Sequence, residues 1–321
     1  CMRAGVVLLD ARGPVLSIPA AAKEIFGADD GSAGQDFLTI DRSSAMSGAV
    51  QAAMRDGHAE IRSERAGRNY RFDLTRIESG GRSIGTVILA FDVTEQEQAE
   101  RMRREFTANV SHELKTPLQG IIGSAELIEN GLVKPEDMPR FVGHIHSEAS
   151  RLMALISDII RLSQLDEGEE MPRESVDLYD EAAEAEENLR TAAEEKGVKL
   201  SLTGEGAEIS GVRRLVYEII YNLCDNAIKY NRPGGRVEVR VTQSESEAAV
   251  TVADTGIGIA TEDQARVFER FYRADKSRSK ESGGTGLGLS IVKHAVQYHH
   301  GSIDLKSNPG EGTTIKVTFP K

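Results

Sequence analysis

Apolar positions change their period twice along the chain, and each change marks a different kind of element. Over residues 1–94 the runs are short and tend to alternate. Residues 6–9 and 15–18 flank Asp10 to Gly13, which predicts a hairpin. A short helix is expected at 20–26, and the polar stretch 29–36 reads as a loop. Tyr70, Phe72 and Leu74 alternate with polar neighbours, as a half-buried strand does. Ser79-Gly80-Gly81 turns the chain into a further strand over 84–91. This first segment is therefore expected to be α+β.

From Thr94 the period becomes helical. Thr94 and Glu97 have the spacing of a capping box. Beyond them Phe106, Val110, Leu114, Leu118, Ile121, Ala125 and Ile128 recur three or four apart, predicting one long helix. Asn130-Gly131 stops it, and Pro135 suits the first turn of the next. In that second helix Phe141, Ile145, Ala149, Leu152, Ile156, Ile159 and Leu162 keep the same stripe. Two antiparallel helices alone enclose little core. A four-helix bundle in a homodimer is the economical way to bury both stripes.

A polar break at 166–170 precedes a third pattern. Helices are expected at 178–196, 212–230 and 287–298, with strands at 198–202, 237–241, 249–253, 303–306 and 314–319. That mixture predicts an α/β sandwich. The chain is thus read as three domains, 1–94, 95–168 and 171–321, with 166–170 as a hinge. Its 321 residues allow two or three.

Composition narrows the classes. A net charge of −12 argues against broad nucleic-acid binding, so an anionic ligand needs a local basic patch. Two cysteines, Cys1 and Cys224, make no disulfide framework, and Cys224 lies in an apolar helical pattern that predicts a buried thiol. No apolar run reaches the roughly 18 residues of a membrane span. The abrupt start at Cys1-Met2 suggests a soluble fragment of something longer.

Four constellations carry chemistry. In the run from Phe106 to Leu118, His112 lies about 200° round the helix from both Val110 and Leu114, and so faces solvent. Glu113 adjoins it, Thr116 shares its face, and Pro117 is expected to kink the helix. A neutral imidazole with a carboxylate beside it is a competent nucleophile. In the second, Asn222 and Asn226 stand i, i+4 on an otherwise apolar helix, followed by Lys229 and Tyr230. Their amide oxygens suit Mg²⁺, and Lys229 suits phosphate. The third is Asp254 with Gly256 and Gly258 at a strand exit, where a carboxylate can accept from an exocyclic amine. The fourth, Gly284, Thr285, Gly286, Leu287 and Gly288, opens a helix whose N-terminus attracts anions. Before it, Arg266, Arg270, Phe271, Arg273, Lys276, Arg278 and Lys280 form a basic segment read as a triphosphate-binding lid. Singly, each has a plainer reading: a solvated histidine, an amphipathic helix, a tight turn, a polar surface loop. His299 and His300 are read as cations suited to a helix end, and His144 and His146 as bland. A nucleophilic imidazole and a nucleotide site in one chain point to phosphoryl transfer from ATP to His112.

With these residues in view, the chain resembles bacterial two-component sensor histidine kinases over about 95–321. Residues 106–118 resemble the H box, 222–230 the N box, 254–258 the G1 box, 268–273 the F box and 284–289 the G2 box. Residues 1–94 resemble a PAS domain more weakly, and the layout is similar to that of phosphate-regulon and cell-wall sensor kinases. The resemblance implies a helical hairpin that dimerises and an ATP-binding domain of the GHKL type. It implies that His112 takes the γ-phosphate of ATP with help from Glu113, and passes it to an aspartate of a response-regulator receiver domain. It further implies Asn226 as Mg²⁺ ligand, Asn222 and Lys229 near the phosphates, Asp254 at adenine, and Gly284, Gly286 and Gly288 in the phosphate pocket. Thr116 corresponds to the residue that orients water when such proteins dephosphorylate their partner. Complete members are membrane-anchored, which would place these domains at the inner face of a cell membrane. Two rivals stay open: an ATPase of the same nucleotide fold that has no need of His112, and a scaffold that binds no ATP.

Overall fold

The computed structural model describes residues 4–167, 171–274 and 285–321. The chain divides into two compact units, Cys1–Thr107 and Ala108–Lys321.

The first unit is an antiparallel five-stranded sheet. Its strands are β1 (Ala4–Asp10), β2 (Val15–Ser17), β3 (His58–Arg65), β4 (Arg68–Ser79) and β5 (Arg82–Asp92), in the spatial order β2-β1-β5-β4-β3. Three helices lie between β2 and β3: α1 (Ala20–Phe26), α2 (Phe37–Ile40) and α3 (Ser44–Asp56). The alternation of Tyr70, Phe72 and Leu74 puts all three in one core with Val7, Leu9, Phe37, Met46 and Ile88. The Phe26 ring meets Phe37 edge-on at 5.2 Å and Phe72 at 5.4 Å. Each α+β element expected before Thr94 is present. The reading of 29–36 as plain loop needs one addition, a turn of 3₁₀ helix at Asp30–Ser32 capped by the Asp29 side chain.

Helix α4 (Thr94–Glu129) begins where the change of period places it, but not with a capping box. The Thr94 hydroxyl donates to Asp92 at 2.6 Å and accepts the Asn69 amide, while Glu97 pairs with Arg62 at 3.4 Å. Asp92 caps in its place, accepting the Thr94 amide at 3.0 Å, and this pairing lowers its pKa. The competing partners, Arg62 on β3, Asn69 on β4 and Asp92 at the end of β5, are ones that sequence spacing does not reveal.

In the second unit, α4 continues to Asn130-Gly131. Gly131 there takes φ +67°, the left-handed conformation that ends a helix without strain. Helix α5 (Met138–Glu167) returns alongside, entered by a 3₁₀ turn at Pro135–Asp137. A second five-stranded sheet follows, formed by β7 (Lys199–Gly204), β9 (Arg236–Gln243), β10 (Glu247–Asp254), β11 (Ser302–Asn308) and β12 (Gly312–Pro320). Its order is β11-β12-β10-β9-β7, antiparallel except for the parallel pair β7 and β9. Strands β6 (Glu174–Asp177) and β8 (Glu208–Gly211) form a separate ribbon. Helices α6 (Leu178–Glu195), α7 (Arg213–Lys229) and α9 (Gly288–Tyr298) bury their apolar stripes with the inward residues of the sheet, such as Val239, Val250 and Val317; a single turn, α8 (Thr261–Gln264), lies between β10 and α9. This is the α/β sandwich expected of 171–321. Cys224 is 1% exposed in its core, and burial pushes its thiol up to about 12, so it is an inert structural residue.

Candidate nucleotide and phosphoryl-transfer site

Helix α7 carries the asparagines. Its apolar face, with Leu215, Ile219, Ile220, Leu223 and Ala227, is buried, which leaves Asn222 and Asn226 half-buried on a neighbouring face. Asn222 donates its amide to the Glu218 carbonyl at 2.8 Å, so its Oδ1 points outward. That oxygen meets the start of α9: a methyl group built on Gly288 would lie 2.8 Å from Asn222 Oδ1 and 3.8 Å from Asn226 Nδ2. The fold therefore brings the asparagine face and the last glycine of the Gly284–Gly288 segment together. The Asn226 side chain makes no hydrogen bond among the described residues. Lys229 pairs with Asp225 at 2.7 Å, and its carbonyl accepts from Lys196. Tyr230 ends the helix, and its carbonyl accepts the Ile257 amide at 3.1 Å.

Asp254 closes the other end. Its Oδ1 accepts the Gly256 amide at 2.7 Å and the Thr313 amide at 3.3 Å. Burial raises its pKa against those bonds. Oδ2 has no hydrogen-bond partner among the described residues. Gly256 packs against the Tyr230 carbonyl, and Gly258, at φ +69°, packs against the Asn308 carbonyl. The two glycines are thus required by close backbone approach, as the strand-exit pattern suggested.

Thr285, Gly286 and Leu287 lead into α9. The Gly286 carbonyl accepts the Phe271 amide at 2.9 Å, and Phe271 takes φ +60°, an uncommon conformation for a bulky residue. Leu287 is fully buried, and its carbonyl accepts the Ser290 hydroxyl at 2.7 Å. Arg278 and Gly284, with Lys276 and Lys280, lie outside the described residues.

The described arginines of the basic segment are not arrayed for a triphosphate. Arg266 stacks 4.3 Å over Tyr272, Arg270 pairs with Asp166 at 2.6 Å, and Arg273 reaches Glu113 at 3.4 Å. Asp166, expected in a hinge, is instead in the last turn of α5 and tied to Arg270. His299 is a second correction. It is buried, not a cation at the helix end: Nε2 accepts the Val212 amide at 2.9 Å and Nδ1 lies 2.7 Å from the Ala295 carbonyl. Burial lowers its pKa, so the ring is held neutral.

His112 stands where the helical period put it, with its side chain 80% exposed. Its Nδ1 lies 3.9 Å from Glu113 Oε1, a charge contact too long for a hydrogen bond. Thr116 donates its hydroxyl to the His112 carbonyl at 3.3 Å. Pro117 is buried and has no amide to give the Glu113 carbonyl, yet α4 continues to Glu129. The hairpin meets the nucleotide lobe along α5. Leu155, Leu162 and Leu165 are buried there, flanked by Asp158 to Thr285 (2.8 Å), Arg161 to Glu218 (3.1 Å) and the Asp166 pair. Glu218 is almost fully buried, and desolvation raises its pKa despite Arg161 and Arg214. Sequence reading missed Asp158, Arg161 and Glu218. They are ordinary charged helix residues, and only the docking of α5 makes them neighbours.

An exposed imidazole on a helical hairpin, beside an α/β lobe with an asparagine helix and glycine-lined turns, defines a class of phosphoryl-transfer proteins. The His Kinase A (phospho-acceptor) domain family matches residues 102–168. The family of histidine kinase-, DNA gyrase B- and HSP90-like ATPases matches residues 211–321. The sensor-like histidine kinase SenX3 of Mycolicibacterium smegmatis is 39% identical over 237 residues, which cover 73% of this chain and 62% of that one. Among solved structures, ThkA in complex with the response regulator protein TrrA aligns over 99% of this chain and 95% of its own, at 18% identity and a TM-score of 0.56, a likeness of fold. Full-length ShkA in complex with AMPPNP aligns over 67% of this chain and 45% of its own, at 26% identity and a TM-score of 0.51. The chain belongs to the two-component sensor histidine kinases. It spans less than two thirds of the length of the curated relatives it matches.

Proposed function

We propose that this chain transfers the γ-phosphoryl group of Mg-ATP to His112 and then passes it to an aspartate of a response-regulator receiver domain. The observation that carries this reading is the meeting of Asn222 and Asn226 with Gly288, in a lobe whose other end offers Asp254 Oδ2. Adenine's exocyclic amine suits that oxygen, and the triphosphate then runs toward α9, whose N-terminal amides and positive dipole end favour anions. The AMPPNP held by ShkA supports a nucleotide in this fold.

Asn226 suits Mg²⁺, because its amide is half-buried, hard and unused. When bound, the ion neutralises charge on the β- and γ-phosphate oxygens. The remaining work falls to positioning. Glu113, near Nδ1, favours the tautomer protonated there and leaves the Nε2 lone pair free. Nε2 then forms its bond to phosphorus as the bond to the bridging oxygen breaks and ADP leaves. Glu113 balances the imidazolium that results. In the second transfer, the regulator's aspartate attacks the phosphorus and the Nε2–phosphorus bond breaks. The regulator bound to ThkA supports such a partner. A dephosphorylating activity is proposed with it. The Thr116 hydroxyl spends its proton on the helix and keeps lone pairs for a water one turn from His112.

The domains are proposed as 1–94, 95–168 and 171–321. The strand order β2-β1-β5-β4-β3 with helices between β2 and β3 supports a PAS-like sensor for the first. Leu118, Ile122, Val142, Met153 and Ile160, all apolar and exposed on α4 and α5, support a four-helix bundle in a homodimer. No described helix is long and apolar enough to cross a membrane; anchoring of a longer protein, with these domains at the inner face, is proposed from the family alone. The test is incubation with γ-labelled ATP and Mg²⁺. Acid-labile, alkali-stable label on the wild type and none on His112→Gln is expected. Label that survives His112→Gln, or free phosphate released without labelled protein, would refute the assignment.

A further inference from the structure

One contact between α5 and the nucleotide lobe lies inside the proposed phosphate site. Asp158, on α5, accepts the Thr285 hydroxyl at 2.8 Å through Oδ2. Thr285 Oγ1 in turn accepts the Leu287 amide at 3.3 Å, at the residue that opens α9. Burial resists charge on this carboxylate, while Arg161 and Lys229, paired with Glu218 and Asp225, favour it from nearby. Asp158 also lines a cavity of about 580 Å³ with Arg161, Arg214, Glu218 and Asn222, so it sits beside the asparagine face. A hydroxyl donor at the head of a helix, with two cations nearby, is the kind of surroundings a phosphate oxygen seeks.

We propose that Asp158 is an internal surrogate for the terminal phosphate, so that docking of α5 and loading of a nucleoside triphosphate compete for Thr285 and the head of α9. This rests on the reading of 171–321 as an ATP site and adds a regulation to it. The surrogate is carried by the hairpin, not by the lobe it occupies, and so it leaves when the hairpin leaves. With Asp254 fixing the base end, the phosphate nearest α5 is the terminal one. A carboxylate and a phosphate that share few donors in a half-buried site repel each other. A diphosphate lacks the competing group and is compatible with docking. The lobe is then held by its hairpin when empty or loaded with ADP, and released when it loads ATP.

The measurement is calorimetric binding of AMPPNP and of ADP, each with Mg²⁺, to the whole chain. Asp158→Asn keeps an acceptor for Thr285 and removes the charge. It is expected to tighten AMPPNP about fivefold or more, the lower end of ordinary coupling between sites, and to leave ADP within about twofold. Asp158→Ala is expected to move AMPPNP in the same direction. A variant-free readout is hydrogen exchange on the wild type, where AMPPNP but not ADP is expected to speed exchange in residues 155–166. Equal AMPPNP affinity in wild type and both variants, an equal shift for ADP, or exchange that is blind to AMPPNP would overturn the surrogate. If the wild type binds neither nucleotide, the reading of the ATP site falls with it. If it binds both and the variants change nothing, only the surrogate falls.

Discussion

The two oxygens of Asp254 do different work, and substitution separates them. Oδ1 holds the strand exit together through the Gly256 amide at 2.7 Å and the Thr313 amide at 3.3 Å. Oδ2 is left for the proposed adenine amine. In Asp254→Ala both amides lose their acceptor. An unsatisfied buried donor costs about 1–3 kcal/mol, and the second bond is already long, so the loss is about 2–4 kcal/mol. In a unit of this size that lowers the melting temperature by roughly 5–12 °C. Asp254→Asn retains a carbonyl oxygen for the two amides and is expected to lose under about 1 kcal/mol of stability. It places an NH₂ where the base needs an acceptor, however. A hydrogen bond to a charged group is worth about 1.5–3 kcal/mol, so Mg-ATP binding is expected to weaken by roughly 10- to 150-fold. The assay is a thermal melt of each variant together with calorimetric titration of AMPPNP. If Asp254→Asn binds as the wild type does, Oδ2 is not the base acceptor. If Asp254→Ala melts with the wild type, Oδ1 carries no structural load.

Two further outcomes follow from other positions. Burial depresses the pKa of His299 below 6.5, so the second unit keeps this contribution to stability above about pH 6.5 and loses it as pH falls from there through the lowered folded value; melts at pH 7.5, 6.5 and 5.5 should show a drop that His299→Gln lacks. Gly258→Ala puts a methyl group at φ +69° against the Asn308 carbonyl, where the conformation alone costs about 1–2 kcal/mol, and an unchanged denaturant midpoint would contradict the packing of this turn.

Much of the fold was legible in the sequence, and the misses have causes. Helices α6, α7 and α9 showed because their apolar stripes recur at helical spacing, and the sandwich strands because their inward residues alternate. Helix α3 did not show. Its stripe rests on Met46, Ala49, Val50 and Ala53, spread among alanine, serine and glycine, which is a faint pattern. Strand β3 places six charged or polar residues around Ala59 and Ile61 at the sheet edge, and so reads as loop. At the proposed site the strand-exit glycines were legible, because a backbone carbonyl lies against Gly256 and Gly258. The site was illegible where the partner lies far along the chain. Arg270 looked free for phosphate until Asp166, more than a hundred residues earlier, proved to hold it. Thr94 looked like a cap until Asn69 and Asp92 claimed its hydroxyl.

The contact between α5 and the nucleotide lobe has a composition that bears on how the protein works. Its apolar part is three leucines, Leu155, Leu162 and Leu165, and the rest is paired charge and hydroxyl. Burying Glu218 against Arg161 gains little net energy, because desolvation offsets the attraction, but it penalises any register in which either charge is left alone. Such an interface specifies one docked position without holding it tightly. A phosphoryl relay needs that combination. On the proposed function, His112 meets a nucleotide and then a regulator, and possession by either excludes the other, so the lobe leaves the hairpin on every cycle. A large leucine-rich seam would have made the docked state permanent. The charged ladder keeps it specific and reversible, and it places one carboxylate, Asp158, where the arriving triphosphate can dislodge it.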